Sequence, residues 1–277
     1  MEKGGSLNEL SVSTAPEDTA EFIRICGADV MFETTPVSYK DGQPAINHIE
    51  AALQNGMHAV TANKGPVVHA FRWLSSMATN KGLKFFFEST VMDGAPVFSV
   101  FRELPAVNVT AIYGVLNSTT NLIITRMEDG NSFDEALQHA KDIGIVETDP
   151  TGDLEGWDAA VKISAMITVL MDYPFTPDLV DRTGITGITA EMIADAKAQN
   201  KRYKLVAHAW TEGTEVKAKV APKLIGTDSM LYNVRGTTSF AQFESDVLGK
   251  LSIVEDDPGI RNTAYGLLAD FINAVSH

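Results

Sequence analysis

The sequence predicts an α/β protein with a parallel sheet and a second, α+β domain. Three observations carry this. Between residues 28 and 87, apolar strand-like runs alternate with helical stretches, the strand–helix–strand–helix–strand order of a parallel sheet. After Thr90 the organisation changes: one strand-like run at 107–116 leads into a series of helical stretches, and further strand-like runs gather from residue 203 on. The fingerprint Gly-x-Gly-x-x-Gly, which opens dinucleotide-binding sheets, occurs nowhere. The parallel sheet is therefore expected to be a partial Rossmann-type one, as though its first βαβ unit were cut off.

Taken in order, residues 1–19 are polar and read as a loose leader. Ala20 to Cys26 reads as a short helix, with Cys26 as a small core residue in an apolar stretch. A buried strand starts at Ala28 and ends in Glu33-Thr34-Thr35-Pro36. Ile46, Ile49 and Leu53 repeat at helical spacing within a helix from about Pro44 to Asn55, stopped by Gly56. A second strand, Met57–Thr61, runs into Ala62-Asn63-Lys64. Val67–Asn80 is a helix and Leu83–Phe87 a third strand, ending at Glu88-Ser89-Thr90. Ligands of such sheets sit at the carboxyl ends of the strands. Val91 to Pro96 is expected to start a helix with proline in its first turn. Val107–Leu116 reads as a strand, Asn117–Asn121 as the entry to an apolar helix, and Ser132-Phe-Asp-Glu135 as a capping box. Asp158–Met171 is a strongly apolar helix and Thr189–Asn200 another. Tyr203–Trp210 and Thr214–Ala221 alternate as a hairpin. Tyr232–Gln242 and Leu248–Val254 read as further strands, and Asn262–Val275 as a final amphipathic helix.

Composition excludes several partners. A net charge of -14 argues against nucleic acid and against an anionic membrane surface. No apolar run reaches the length of a membrane span, and the opening residues lack a signal-peptide pattern. A single cysteine suits a reducing cytoplasm. The six histidines have no zinc-ligand spacing.

Chemistry concentrates in Gly144–Met171. Glu147, Asp149, Asp153, Glu155 and Asp158 crowd one loop, and Lys162 lies one turn beyond Asp158. On spacing alone, a solvated acidic loop and a small-molecule site weigh about equally. The apolar helix that follows tips the reading, because a lysine there must be paired or functional. Glu147 and Asp158 suit an ammonium group, and Lys162 suits proton transfer if burial lowers its pKa. Lys64 ends a parallel strand. Asn117-Ser118-Thr119-Thr120-Asn121 is either an N-cap run or a set of donors for a polar ligand or phosphate.

Together these pieces resemble the homoserine dehydrogenase family. The resemblance rests on Glu33-Thr34-Thr35-Pro36, Thr61-Ala62-Asn63-Lys64 and Asn117–Asn121. Its strongest part is the order Glu147, Asp149, Pro150, Asp153, Gly156, Asp158, Ala159, Ala160, Lys162. It covers residues 29–204 well and the remainder more loosely. The resemblance implies NAD(P)-dependent interconversion of L-homoserine and L-aspartate 4-semialdehyde, on the route to threonine and methionine. It implies Lys162 and Lys64 as catalytic residues, and Glu147, Asp158, Asp153, Asn117 and Thr119 as substrate-binding. Thr35, Pro36, Asn63, Lys64 and Gly259 are the expected cofactor side. A monovalent cation, often sodium, is implied at Glu88 with Val91, Asp93 and Ala95.

The same resemblance implies a homodimer, and the lone cysteine a cytoplasmic one. Residues 1–90, completed by 258–277, would form the partial nucleotide-binding domain, and 91–257 the catalytic and dimerisation domain. Three positions depart from the family: Val91-Met-Asp-Gly-Ala, Ser118 for a glycine, and Glu255-Asp-Asp-Pro-Gly259 for a glycine-rich loop. All lie toward the cofactor, so impaired cofactor binding is expected. The alternative is a non-catalytic relative that binds an amino acid or a partner.

Overall fold

The computed structural model describes residues 14–146 and 149–276. The chain opens with α1 (Thr19–Ile25), capped by Asp18, and β1 (Val30–Glu33). Next come α2 (Ala45–Gln54), β2 (His58–Thr61), α3 (Lys64–Asn80) and β3 (Phe85–Phe86). β1, β2 and β3 pair in that order, all parallel, as the alternating pattern predicts. The third strand is shorter than its apolar run, since only Phe85 and Phe86 find partners on β2. Cys26 corrects the sequence reading: it follows α1 as its C-cap and is exposed, because α1 buries only Ile23.

The stretch 91–96 is a turn rather than a helix start. α4 begins only at Val97 and ends at Arg102. Its first N–H groups are taken by the buried carboxylate of Glu88, at 2.6 Å from Phe98 N and 2.8 Å from Ser99 N. That cap selects the start, as helix N-termini need acceptors.

The second sheet has six strands in the order β5-β7-β6-β4-β8-β9. They are β4 (Val109–Val115), β5 (Asp181–Arg182), β6 (Arg202–Glu212), β7 (Glu215–Ile225), β8 (Ser239–Ser245) and β9 (Gly249–Glu255). β6 and β7 form the expected hairpin, closing at Glu212 and Glu215. The predicted strand at 232–242 is displaced: Met230–Asn233 is a 3-10 turn and pairing starts at Ser239. Leu231 and Val234 turn inward there onto Val206 and Phe240, so this apolar run packs without joining the ladder.

Helices α5 (Ser118–Glu128), α6 (Phe133–Asp142), α7 (Thr151–Leu154), α8 (Trp157–Leu170) and α9 (Ala190–Ala198) complete this part. The capping box at Ser132 and Glu135 forms in both directions. α8 packs between α3 and strands β4, β6 and β7. Every residue from Asp158 to Thr168 is buried except Lys162. The last helix, α10 (Ile260–Val275), returns to β2 and β3. It is tied there by Asp270, which accepts the Glu88 N–H at 2.7 Å, and by Phe271 against Phe32.

Candidate active site

Two helix starts meet at the site. Asn63 caps α3 through its side chain, so Lys64 is the first helical residue. Gly156 precedes α8 with φ +80, a left-handed conformation that favours glycine. A side chain there would also press on Val220 of β7. The signature glycine thus sets the angle at which Asp158 enters the first turn of α8.

Asp158 is the hub. Its Oδ1 lies 3.3 Å from Lys64 Nζ and its Oδ2 3.0 Å from Lys162 Nζ. Lys162 also donates to the Leu116 carbonyl at 2.8 Å, at the end of β4. Asn117 joins the group from a third helix start. Its Oδ1 accepts the Thr120 N–H at 2.8 Å and so caps α5. Its Nδ2 donates to Asp153 at 2.6 Å and to Asp158 at 3.0 Å. Asn117 is therefore an N-cap, and the same amide also reaches the two carboxylates. Thr119 donates to the Ile145 carbonyl at 3.3 Å. Ser118 meets Ser239 at 3.2 Å, so its hydroxyl is absorbed by the β8 start.

The charges follow from this packing. Burial alone would raise the Asp158 carboxyl, but Lys162, Lys64 and Asn117 outweigh it and hold the group well below the usual carboxylate range. Lys162 corrects the sequence expectation: burial opposes its charge, yet Asp158 dominates the balance and the net shift is upward. It is a firmly protonated lysine. Burial and the neighbouring Asp158 charge raise Asp153, against the pull of Asn117.

The acidic loop therefore divides. Asp158 and Asp153 turn inward. Asp149 accepts the Thr151 N–H, and Glu155 is held at the surface by Arg182. Glu147, expected at the substrate, lies outside the described residues. A cavity of about 380 Å³ lies over the hub. Lys64, Asn117, Thr119, Asp153, Asp158 and Lys162 line it, as does Gly259. Thr35, Pro36 and Asn63 are not in its wall. They lock the strand ends instead: Thr35 and Thr61 both donate to buried Glu33, and Asn63 donates to the Thr35 carbonyl at 3.0 Å. Tyr39, Asp93 and Thr237 also line the cavity, although no motif marked Tyr39 or Thr237. Asp93, expected only as a backbone ligand, faces it with a carboxylate that accepts from Thr263 at 2.6 Å. Among the described residues no cluster of three or more His, Cys, Asp or Glu side chains can hold a metal ion. No helix there is long and apolar enough to cross a membrane.

A parallel sheet whose strand ends face two lysines locked on one buried carboxylate defines an α/β enzyme. Its kind follows from its relatives. The family model for homoserine dehydrogenase matches residues 96–272. An NAD(+)-dependent homoserine dehydrogenase from Pseudomonas canavaninivorans is 33% identical over 97% of this chain and 77% of its own length. The homoserine dehydrogenase of Methanocaldococcus jannaschii is 36% identical over 98% of this chain and 80% of its own. The solved structure of a hyperthermophilic archaeal homoserine dehydrogenase in complex with NADPH superposes with a TM-score of 0.79 at 30% identity. It is covered over 80% of its chain by 99% of this one. The chain belongs to the homoserine dehydrogenase family.

Proposed function

We propose that the protein interconverts L-homoserine and L-aspartate 4-semialdehyde, at the step feeding threonine and methionine synthesis. The observation that carries this reading is Asp158 holding Lys64 and Lys162 side by side at the cavity floor. A protonated Lys162 donates a proton to the alkoxide that forms as the aldehyde is reduced, and Lys64 polarises the same oxygen. Asp158 has each oxygen on a lysine, so its role is to position them. Asp153, with Glu147, is left for the substrate ammonium, and Asn117 and Thr119 orient it.

A nicotinamide cofactor supplies the hydride. The nicotinamide end fits the residues present: the cavity beside Lys64 extends to Gly259, where a Cβ would meet nothing within 4 Å. For the pyrophosphate there is no Gly-x-Gly-x-x-Gly turn among these residues, and the carboxylate of Asp257 accepts from Thr237 in the cavity wall. We infer that this chain alone binds NAD(P) weakly. A monovalent cation at the carbonyls of Val91, Asp93 and Ala95 belongs to the same proposal. Glu88 would serve it only by sharing oxygens that already cap α4.

The reading extends to a cytoplasmic homodimer, with residues 91–257 as the catalytic and dimerising domain and 1–90 plus 258–277 as the nucleotide-binding one. The deciding experiment follows NAD(P)H oxidation with aspartate semialdehyde, on this chain and on one carrying a grafted glycine-rich βαβ unit. Turnover in the grafted chain supports the proposal. NADPH binding without turnover there refutes it.

A further inference from the structure

α5 starts at the substrate site with Asn117 and ends at a second cavity with Glu128. This cavity measures about 230 Å³ and opens between α9 and the start of β6. Lys197, Lys201, Arg202 and Arg235 line it, in a chain of net charge -14. Only Glu128 and Asp129 answer them in its wall. Behind it lies Lys204, fully buried, with its ammonium on Asn121 Oδ1 at 3.0 Å.

The guanidinium groups are held in place. Arg202 donates to the Tyr232 carbonyl at 2.9 Å and lies 4.2 Å from the centre of the Tyr232 ring. Arg235 donates to Asp129 at 2.6 Å. Neither hydrogen-bonds Glu128, whose two buried oxygens have no hydrogen-bond partner and whose nearest cations are Arg235 at 3.4 Å and Arg202 at 3.6 Å. Glu128 screens the pair without saturating its N–H donors. At the rim, Lys201 reaches only Gln199, at 3.5 Å, and Lys197 has no hydrogen bond or ion pair among the described residues.

Four cations line the cavity against two carboxylates, with Lys204 behind them, so the group carries a formal excess of positive charge. The ends of α5 and α9 add roughly one unit of negative charge through their dipoles, which does not cancel it. Burial first, and then Arg202 and Arg235, push the Lys204 ammonium down to about 8 against the pull of Glu128. Paired, pre-oriented guanidinium forks with exposed lysines at the mouth match the geometry of an oxyanion.

We propose that this cavity is a second ligand site, taking a small oxyanion with a carboxylate or phosphate group on Arg202 and Arg235. Lys197 and Lys201 close over it from the rim.

The test is isothermal titration calorimetry of the whole chain with inorganic phosphate and, separately, with succinate, at ionic strength fixed with chloride. Saturable binding of at least one is expected, and the tighter of the two identifies the source of the oxyanion. The exposed pair Lys197→Gln/Lys201→Gln should keep the circular dichroism spectrum and weaken binding about tenfold. Arg235→Gln should abolish it. If Arg235→Gln fails to fold, the lysine variant still decides. No saturation by either anion overturns the proposal. Affinity unchanged in the lysine variant also overturns it, since binding then lies elsewhere, as at the cofactor side.

Discussion

The Lys64 ammonium lies 3.3 Å from Asp158 Oδ1, and both residues stand in the first turn of their helices. The dipole of α8 favours the carboxylate, while that of α3 disfavours a cation at its start. The pair therefore offsets a cost that α3 would otherwise carry alone. Removing the acid should uncover it. Asp158→Asn should lower stability by about 3 kcal/mol, the usual cost of breaking a buried pair. Turnover should fall at least about a hundredfold as both lysines lose their register. Urea unfolding and steady-state kinetics of the active form measure the two effects. An Asn variant with native stability would show that the lysines find other partners.

Lys162 is held protonated, so it should act as a proton donor through the neutral range. Lys162→Ala should reduce aldehyde reduction by roughly 10² to 10⁴ and cost less stability than Asp158→Asn, because Lys64 and Asn117 still hold the carboxylate. In the unmutated enzyme the rate of reduction should be flat from near neutral pH upward, falling only when the lysine loses its proton in the alkaline range. A rate that climbs steeply between neutral and mildly alkaline pH would instead mark a neutral amine as the working form. Substantial residual activity in the Ala variant would move the role to Lys64.

Asp270 makes an opposite claim about pH. Burial, and then the neighbouring Glu88 charge, raise its carboxyl to about 6. The folded protein therefore holds this proton more tightly than the unfolded chain. Its contribution to stability is complete below the ordinary carboxylate pKa of about 4 and is lost as pH rises through 6. The loss is on the order of 3 kcal/mol. Asp270→Asn keeps an acceptor for the Glu88 N–H, so it should unfold at a higher temperature than the parent at pH 8 and not at pH 4. Equal differences at both pH values would remove Asp270 as the source.

Gly156→Ala separates the backbone argument from the charges. The positive φ costs a side chain about 1–2 kcal/mol, and the new Cβ lies 3.2 Å from Val220 Cγ1. Gly213, in the β6–β7 turn, also has positive φ but faces open space. Gly213→Ala should cost stability alone, whereas Gly156→Ala should also lower kcat/KM by shifting Asp158. Equal kinetics in the two variants would mean that α8 absorbs the change.

What could be read from the sequence depended on whether local order carried the signal. Strand–helix alternation and apolar periodicity located the parallel sheet and the apolar α8, because those patterns state their own period. The capping box at Ser132 was explicit for the same reason. The start of α4 was not, since the acceptor that sets it is Glu88, which reaches forward across a turn. The strand predicted at Tyr232 failed because an apolar run packs equally well as a 3-10 turn. In the site, the signature placed Asp158 and Lys162, but the sign of the Lys162 shift needed the distance to Asp158. Lys204 and the arginines of the second cavity meet only through tertiary packing, and no spacing announced them.

Asn117 uses one end of its amide to start α5 and the other to tether Asp153 and Asp158. Fraying of the first turn of α5 and disassembly of the carboxylate floor are therefore one event. The Thr120 amide, bonded to Asn117 Oδ1, becomes a clock for both: its hydrogen-exchange rate reports how often the carboxylate floor comes apart, and a ligand that steadies the floor should slow that exchange in proportion to its binding.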